Sequence, residues 1–176
     1  MKYWELYVTN EGAQIFVDVT KDYVNQTIFA DTTGKEGEVK GNLNDDYPLF
    51  FGPSEEVFSH RLVTAMLQLN PEGVTTYPIT LKLPDGTLNT NWCEVTVSAY
   101  VDCIDFNAST LKLRNNGKIR FLRKLVLDTE KADRAGYDIF RLHHRFTSII
   151  VSDRLKQAIE VVNPIGIRFN PTDGSE

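Results

Sequence analysis

Residues 139–169, which read IFRLHHRFTSIIVSDRLKQAIEVVNPIGIRF, decide the fold of this chain. They predict two short strands, then a helix, then a last strand after the break at Asn163-Pro164. Ser152 is a typical N-cap, because its hydroxyl oxygen can accept a hydrogen bond from a free N–H of the first turn. Asp153 follows where the helix dipole favours an acid. The apolar stripe of this helix consists of Leu155, Ala158, Ile159 and Val162.

An earlier segment, residues 54–71, shows the same pattern. Ser54 is the predicted N-cap, with Glu55 and Glu56 in the first turn. The break at Asn70-Pro71 ends the helix, since proline cannot continue it. Its apolar stripe consists of Phe58, Leu62, Ala65, Met66 and Leu69. Both helices exit through Asn-Pro-x-Gly into a β-branched residue. A duplicated helix-to-strand unit would explain this. The same stop signal used twice is the preferred explanation, on the interpretation that the flanking sequences do not align.

The remaining sequence is rich in strand patterns. Strands are predicted at 3–8, 14–19, 27–30, 77–83, 92–104, 111–114, 118–122, 125–127 and 139–142. The first two form a predicted hairpin around Asn10-Glu11-Gly12. A second hairpin is predicted at Asn115-Asn116-Gly117, because Asn and Gly tolerate positive φ. The predicted fold class is therefore α+β, an antiparallel or mixed β-sheet with two main helices packed on it.

Length and composition predict a single domain over residues 1–176. Within it, an acidic, β-rich N-terminal region spans 1–50 and contains a polar, glycine-punctuated loop at 32–46. Residues 170–176 are expected to form a disordered tail. The sequence shows no signal peptide and no stretch of membrane-spanning length, so a cytoplasmic location without a membrane partner is expected.

The two cysteines are expected to be reduced core thiols. Small apolar residues alternate with polar ones from Cys93 to Cys103, which places both cysteines on the buried face of one strand. Ten steps along a continuous strand separate them by on the order of 30 Å, too far for a disulfide or a shared metal.

The net charge of -5 argues against a general nucleic-acid binder, and it is unevenly distributed. Residues 1–60 contain 4 Lys or Arg and 11 Asp or Glu, a balance of -7. Such a region can steer a basic partner, because the summed charge shapes the surrounding potential. The residues predicted to do so are Asp45, Asp46, Glu55 and Glu56. Ordinary solubility charge is the alternative interpretation.

One segment has the opposite charge. Between Phe106 and Leu127 the chain has no acidic residue and six basic ones: Lys112, Arg114, Lys118, Arg120, Arg123 and Lys124. These residues could bind phosphate or an acidic partner. They could also protect an edge strand from aggregation. The protective interpretation is preferred, because stacking aromatic residues are scarce in this segment and nucleic-acid platforms usually supply them.

The search for chemistry gives no catalytic, cofactor-binding or metal-ligating residues. The nucleophile elbow, the zinc-protease helix and the Cys-x-x-Cys motif are all missing from the sequence. His144 is expected at the core edge, on one strand face with Phe140, and no Cys or Glu lies near it in zinc spacing. An enzyme would require groups brought together from distant positions, such as Asp102, Asp105 and His144.

Several short motifs along 60–169 carry a family resemblance. They are GV at 73–74, YPITL at 77–81, VDCIDF at 101–106 followed by Ser109, IFRL at 139–142, IVSDRLK at 150–156 and GIRF at 166–169. In this order and spacing the segment resembles the bacterial immunity proteins of polymorphic toxin systems, immunity protein family eleven, a former domain of unknown function. The resemblance covers about the last two-thirds of the chain and leaves out the acidic N-terminal region.

The resemblance implies an immunity protein that neutralises a cognate bacterial toxin by stoichiometric binding, without catalysis or cofactor. The main alternative is a regulatory module that binds nucleic acid or an acidic partner through the basic hairpin at 112–124. The net acidity makes nucleic acid the less expected partner. An uncovered edge strand would also allow a homodimer.

Overall fold

The computed structural model describes residues 1–8, 14–16, 18–22, 27–31, 38–40, 46, 49–51 and 56–175. Its helices are α1 (His60–Leu67), α2 (Thr129–Ala135) and α3 (Asp153–Val161). Its strands are β1 (Tyr3–Val8), β2 (Gln14–Phe16), β3 (Asp18–Asp22), β4 (Thr27–Asp31), β5 (Glu38–Lys40), β6 (Leu49–Phe51), β7 (Glu56–Ser59), β8 (Val74–Lys82), β9 (Leu88–Val97), β10 (Tyr100–Val101), β11 (Thr110–Leu113), β12 (Ile119–Lys124), β13 (Ile139–Leu142), β14 (Arg145–Ser152) and β15 (Ile167–Pro171).

Two five-stranded sheets dominate the described part of the chain. The first sheet has the order β10-β13-β14-β1-β15 and the second has the order β3-β4-β8-β9-β7. Each contains one parallel pair, β10 with β13 and β4 with β8, among antiparallel pairs. Strands β11 and β12 form a two-stranded sheet, and β5-β2-β6 form a three-stranded sheet. The predicted α+β class with a mixed sheet is confirmed.

The helices α1 and α3 pack against each other and join the two large sheets. The buried cluster around them takes Phe58 and Val95 from the second sheet, Leu6 and Ile149 from the first, and Leu62 from α1. Because side chains from both sheets fill one cluster, neither sheet buries its apolar face alone.

The first predicted helix begins later than its sequence pattern indicated. Glu56–Ser59 is strand β7, Ser59 is the N-cap, and α1 ends at Leu67. Phe58 pairs with Cys93 of β9 and is fully buried, so sheet pairing determines the conformation where the stripe predicted helix. The predicted cap Ser54 lies outside the described residues.

The predicted hairpin between residues 3–8 and 14–19 is wrong. β1 pairs with β14 and β15, while β2 pairs with β5 and β6.

The loop predicted at 32–46 contains β5, and it ends at the buried Asp46. The tail predicted as disordered is ordered through Ser175: it continues β15, and the Thr172 hydroxyl donates a 2.8 Å hydrogen bond to the Tyr3 carbonyl.

The strand predicted at 92–104 is divided between the two sheets. β9 ends at Val97 in the second sheet, and β10 begins at Tyr100 in the first.

Cys93 and Cys103 are nevertheless buried and free, as predicted. Burial raises the pKa of the Cys93 thiol to about 11 and that of the Cys103 thiol to about 12. The short helix α2, capped by Asp128, was not predicted.

The two large sheets contain the same structural unit twice. In each unit a strand leads into a helix, the chain turns back through Asn-Pro-x-Gly, and the strand that follows pairs with the other side of one shared antiparallel strand. The units are β7-α1-β8 around β9 and β14-α3-β15 around β1. Even the register agrees: the pairs are Ser59–Trp92 and Cys93–Pro78 in one unit, and Ser152–Tyr3 and Trp4–Pro171 in the other.

The duplication is also present in the amino-acid sequence. Residues 59–78 align without gaps on residues 152–171, and eight of the 20 positions are identical. The identical pairs are Ser59 and Ser152, Arg61 and Arg154, Leu62 and Leu155, Ala65 and Ala158, Asn70 and Asn163, Pro71 and Pro164, Gly73 and Gly166, and Pro78 and Pro171. The explanation preferred from the sequence, one stop signal used twice, is therefore wrong.

Both returns need residues that accept a left-handed backbone. Asn70 and Asn163 have φ values of 46° and 49°, and Gly73 and Gly166 have values of 76° and 82°. Asparagine tolerates this region better than other non-glycine residues, which explains why the same residue types stand at both turns.

Candidate partner-binding surfaces

The acidic residues predicted to steer a partner are not gathered on one described surface. Asp46 is almost completely buried. Its carboxylate accepts hydrogen bonds from the Ser59 hydroxyl, the Arg61 guanidinium and, at 2.8 Å, the Ile165 backbone N–H. The Asp46 carboxylate thus links α1 to the segment that follows α3. Its burial does not fit the role of a surface contact residue.

Glu56 also makes an internal contact. One of its oxygens lies 3.2 Å from the guanidinium of Arg141, which is itself buried and donates a 2.7 Å hydrogen bond to the Phe146 carbonyl. The pair therefore joins β7 to β13 across the two sheets. Asp45 and Glu55 lie outside the described residues, and their role as partner contacts stays a prediction.

The basic hairpin forms as predicted from β11 and β12, with the turn at Asn115–Gly117 and Gly117 at φ 77°. Its inner face is apolar, and Leu111, Ile119 and Leu122 pack on the buried cluster around Phe140. The six basic side chains are all exposed: Lys112, Arg114, Lys118, Arg120, Arg123 and Lys124. The hairpin thus rests on the core by one face and presents its charges on the other.

Aromatic side chains from outside the hairpin join its charged face. Phe146, at the start of β14, is 51 % exposed, and the Lys118 Nζ lies 5.5 Å from the centre of its ring. Phe121 of β12 is 53 % exposed. Phe146 of β14 thus adds an aromatic ring to a hairpin that has few of its own. This weakens the preference for a purely protective role of the basic residues.

His144 was predicted to share a strand face with the buried Phe140. The structure places a turn at residues 143–144, between β13 and β14, and a shift in their pairing. As a result, Phe140 and Leu142 face the core, whereas Phe146 is exposed and His144 is half-buried. His144 lies 5.3 Å from the Phe106 ring, centre to centre, and 3.4 Å from the Asp102 carboxylate.

A cleft of about 480 Å³ lies between the base of the hairpin and the β1-β15 edge of the first sheet. Arg123, Lys124 and Arg145 line it together with Glu5 and Tyr7. Glu5 is buried and accepts hydrogen bonds from the Ser148 hydroxyl at 2.6 Å and the Tyr7 hydroxyl at 2.8 Å. Burial, helped by the hydrogen bond to Glu5, raises the pKa of Tyr7.

The enzyme alternative gains little from the geometry. Asp102 and His144 do approach each other, but Asp102 is largely exposed on the surface. Asp105 uses its carboxylate to accept the backbone N–H groups of Asn107 and Ala108, which orders its own turn. Among the described residues no three His, Cys, Asp or Glu side chains converge as a metal site would require.

The described helices are too short and too polar for any of them to cross a bilayer.

A family model described as "Immunity protein family (Imm11)" matches residues 21–173. The match extends the resemblance found at 60–169 into the acidic N-terminal region, and it includes both copies of the duplicated helix. A comparison with curated proteins finds no match.

Proposed function

Because this chain belongs to the Imm11 immunity protein family, we propose that it protects its producer by binding a cognate toxin in a stoichiometric complex, without catalysis. The observation that carries the proposal is the family match over residues 21–173 of the 176. An inhibitor that works by binding requires a rigid scaffold and a complementary surface, and it requires no reactive side chains.

The two duplicated units, β7-α1-β8 around β9 and β14-α3-β15 around β1, form the duplicated frame, which is a suitable scaffold. Each helix begins at a serine cap whose hydroxyl also donates to a buried aspartate, and both helices pack into one core cluster. We propose the cytoplasm of the producer as the compartment. The two cysteines are free thiols in the core, which is compatible with a reducing environment.

A growth assay tests the proposal. The reading frame next to this gene is expressed alone and together with this chain in a bacterial host, and the tagged proteins are then purified together. We expect the neighbour to stop growth, this chain to restore it, and the two proteins to elute as a complex of fixed stoichiometry. A toxin that still kills with this chain in excess would contradict the proposal.

A second candidate function is binding of nucleic acid or another acidic partner through the hairpin, without any toxin. The observation in its favour is the set of six exposed basic residues beside Phe121 and Phe146. It predicts that oligonucleotides bind at low salt and that affinity falls steeply as salt is added. Absence of binding at low salt would exclude the nucleic-acid version.

A further inference from the structure

We infer that the toxin docks on the outer face of the β11-β12 hairpin together with Phe146 and the cleft at the hairpin base, and that it presents an acidic segment there. We call this surface the hairpin face. The inference rests on the proposed function and adds to it the location of the contact and the chemistry of the partner.

The β11-β12 hairpin, which carries the six basic residues of the hairpin face, lies outside the duplicated frame. The frame comprises β7-α1-β8 around β9 and β14-α3-β15 around β1, whereas β11 and β12 pair only with each other among the described strands. The hairpin supplies the core with three partly buried side chains, Leu111, Ile119 and Leu122. Its outer side chains are therefore available for binding without a role in holding the two sheets together.

The charges on the hairpin face are not neutralised within the part of the chain that the structure describes. None of its six basic side chains forms an ion pair there with an acidic side chain, although Lys131, Arg141 and Arg154 elsewhere do. The segment from Phe106 to Leu127 carries a charge of +6, so the rest of the chain carries -11. An acidic surface on the partner is the complementary match for such a local patch.

Apolar anchors accompany these charges. Phe121 and Phe146 are each about half exposed, and Leu113 of β11 is 47 % exposed. Contact residues that contribute most to binding energy are commonly aromatic side chains and arginines that become desolvated together. Exposed charge alone would serve solubility, but aromatic rings beside that charge favour a contact with another protein.

The cleft extends the face to the base of the hairpin. The cleft is continuous with the charged side of the hairpin, because Arg123 and Lys124 of β12 line it. Three cationic side chains, Arg123, Lys124 and Arg145, line it against the single carboxylate of Glu5. Glu5 forms an ion pair with Arg145 at 3.6 Å, so the excess positive charge of the cleft, available to an incoming Asp or Glu side chain, comes from Arg123 and Lys124.

A protein partner fits these observations better than a nucleic acid. A long polyanion that bound the hairpin would extend beyond it, toward a remainder that carries -11. Exposed charges are largely screened beyond about 8 Å at physiological ionic strength, so a polyanion would be repelled only where it ran close along acidic side chains, whereas a compact acidic patch would contact the hairpin alone. The exposed rings of Phe121 and Phe146 also suit contact with individual side chains.

The test uses two full-length variants with the same change in net charge. Arg120→Glu with Arg123→Glu reverses two charges on the hairpin face. Lys2→Glu with Arg134→Glu reverses two exposed charges elsewhere and is the matched control. Affinity is measured against a catalytically inactivated form of the neighbouring gene product, at two salt concentrations, after circular dichroism has shown that each variant is folded.

We expect the hairpin variant to bind at least tenfold more weakly and to lose most of its salt dependence, with the control within twofold of wild type. A further variant without a charge change, Phe146→Ala, should also weaken binding. Equal affinity of the hairpin variant and the control would overturn the inference while the proposed function stands. If wild type neither rescues growth nor binds the neighbouring product, both are overturned. The inference would also be overturned by a third result, in which the wild type binds a single-stranded oligonucleotide, the hairpin variant does not, and both bind the toxin with the same affinity.

Discussion

Asp46 and Asp138 accept the same hydrogen bonds at the beginnings of two helices that lie 93 residues apart. Each carboxylate is buried and receives the hydroxyl of the N-cap serine and the guanidinium of the arginine two positions later. Each aspartate carbonyl also accepts the backbone N–H of that same serine, Ser59 at 2.9 Å or Ser152 at 2.8 Å. The unit thus fixes the end of the strand, the cap and the first helical turn together.

Replacement of either aspartate should destabilise the fold to a similar extent. Asp46→Asn and Asp138→Asn keep the side-chain shape but lose the charge that the arginine and serine bind. We expect each to lower the free energy of unfolding by about 1–3 kcal/mol, the usual effect of disrupting a buried charged hydrogen bond. Urea unfolding measures this. Asp102→Asn, at a largely exposed position, is the control, and an equal loss there would contradict the explanation.

Asp138 should make stability depend on pH in the acid range. Burial alone would raise its pKa, but the hydrogen bonds from Arg154 and Ser152 and the charge of Arg154 lower it below the ordinary value. The unfolded state therefore binds a proton more readily, and the contribution is complete above the unfolded pKa of about 3.9 and is lost as the pH falls through the folded pKa. Unfolding measured between pH 7 and pH 2.5 should show a smaller acid loss for Asp138→Asn than for wild type. Identical slopes would show that Asp138 titrates normally.

The cap serines should matter equally in the two units. Ser59 and Ser152 each accept the backbone N–H three residues later, Leu62 at 3.1 Å and Leu155 at 3.2 Å. Their replacement by alanine should cost about 1–2 kcal/mol each, the upper part of the range for an N-cap, because the aspartate also loses a donor. Thermal unfolding checks this against Ser175→Ala near the C-terminus. A large effect in only one unit would show that the units are not energetically equivalent.

The last unit of the fold could be predicted from the sequence because its signals are local. Ser152, the apolar stripe and Asn163-Pro164 each act within one turn of the chain, and the structure confirms the helix and the strand after it. The same reasoning misplaced the start of α1. Residues 56–59 follow a cap-like sequence that predicts a helix. They form a strand instead, because they pair with residues of β9 that lie more than 30 positions later in the chain.

The hairpin face could be predicted only in part, for the same reason. Its six basic residues follow from the sequence of one segment, but Phe146 reaches them across a contact between distant elements. A comparison of residues 59–78 with 152–171 would have revealed that Arg61 follows the cap Ser59 as Arg154 follows Ser152. Asp46 lies outside these residues, so its burial between Ser59 and Arg61 could not be predicted from that comparison.

Both cysteines should be unreactive in the folded protein. Burial raises the pKa of Cys93 to about 11 and that of Cys103 to about 12, so almost no thiolate forms near neutral pH. A thiol-specific disulfide reagent at pH 8 should label neither in buffer and both in urea. Rapid labelling of one thiol in buffer would reveal local opening of the core cluster that contains it.

The duplicated units predict that the chain tolerates a particular circular permutation. β8 and β9 are joined by the turn at residues 83–87, whereas the equivalent strands β15 and β1 are paired at Pro171 and Trp4 without a connection. A short Gly/Ser linker from residue 176 to residue 1, with new ends opened at Asp85-Gly86, exchanges the roles of the two units and keeps every strand pair. We expect a folded protein with the wild-type circular dichroism spectrum and a cooperative urea transition. The same linker with ends opened between Glu94 and Val95 cuts the central strand of one unit and should not fold. The prediction is contradicted if both permutants fold equally well or if both fail to fold. Either result would mean that the structural equivalence of β8-β9 and β15-β1 does not determine where the chain can be opened.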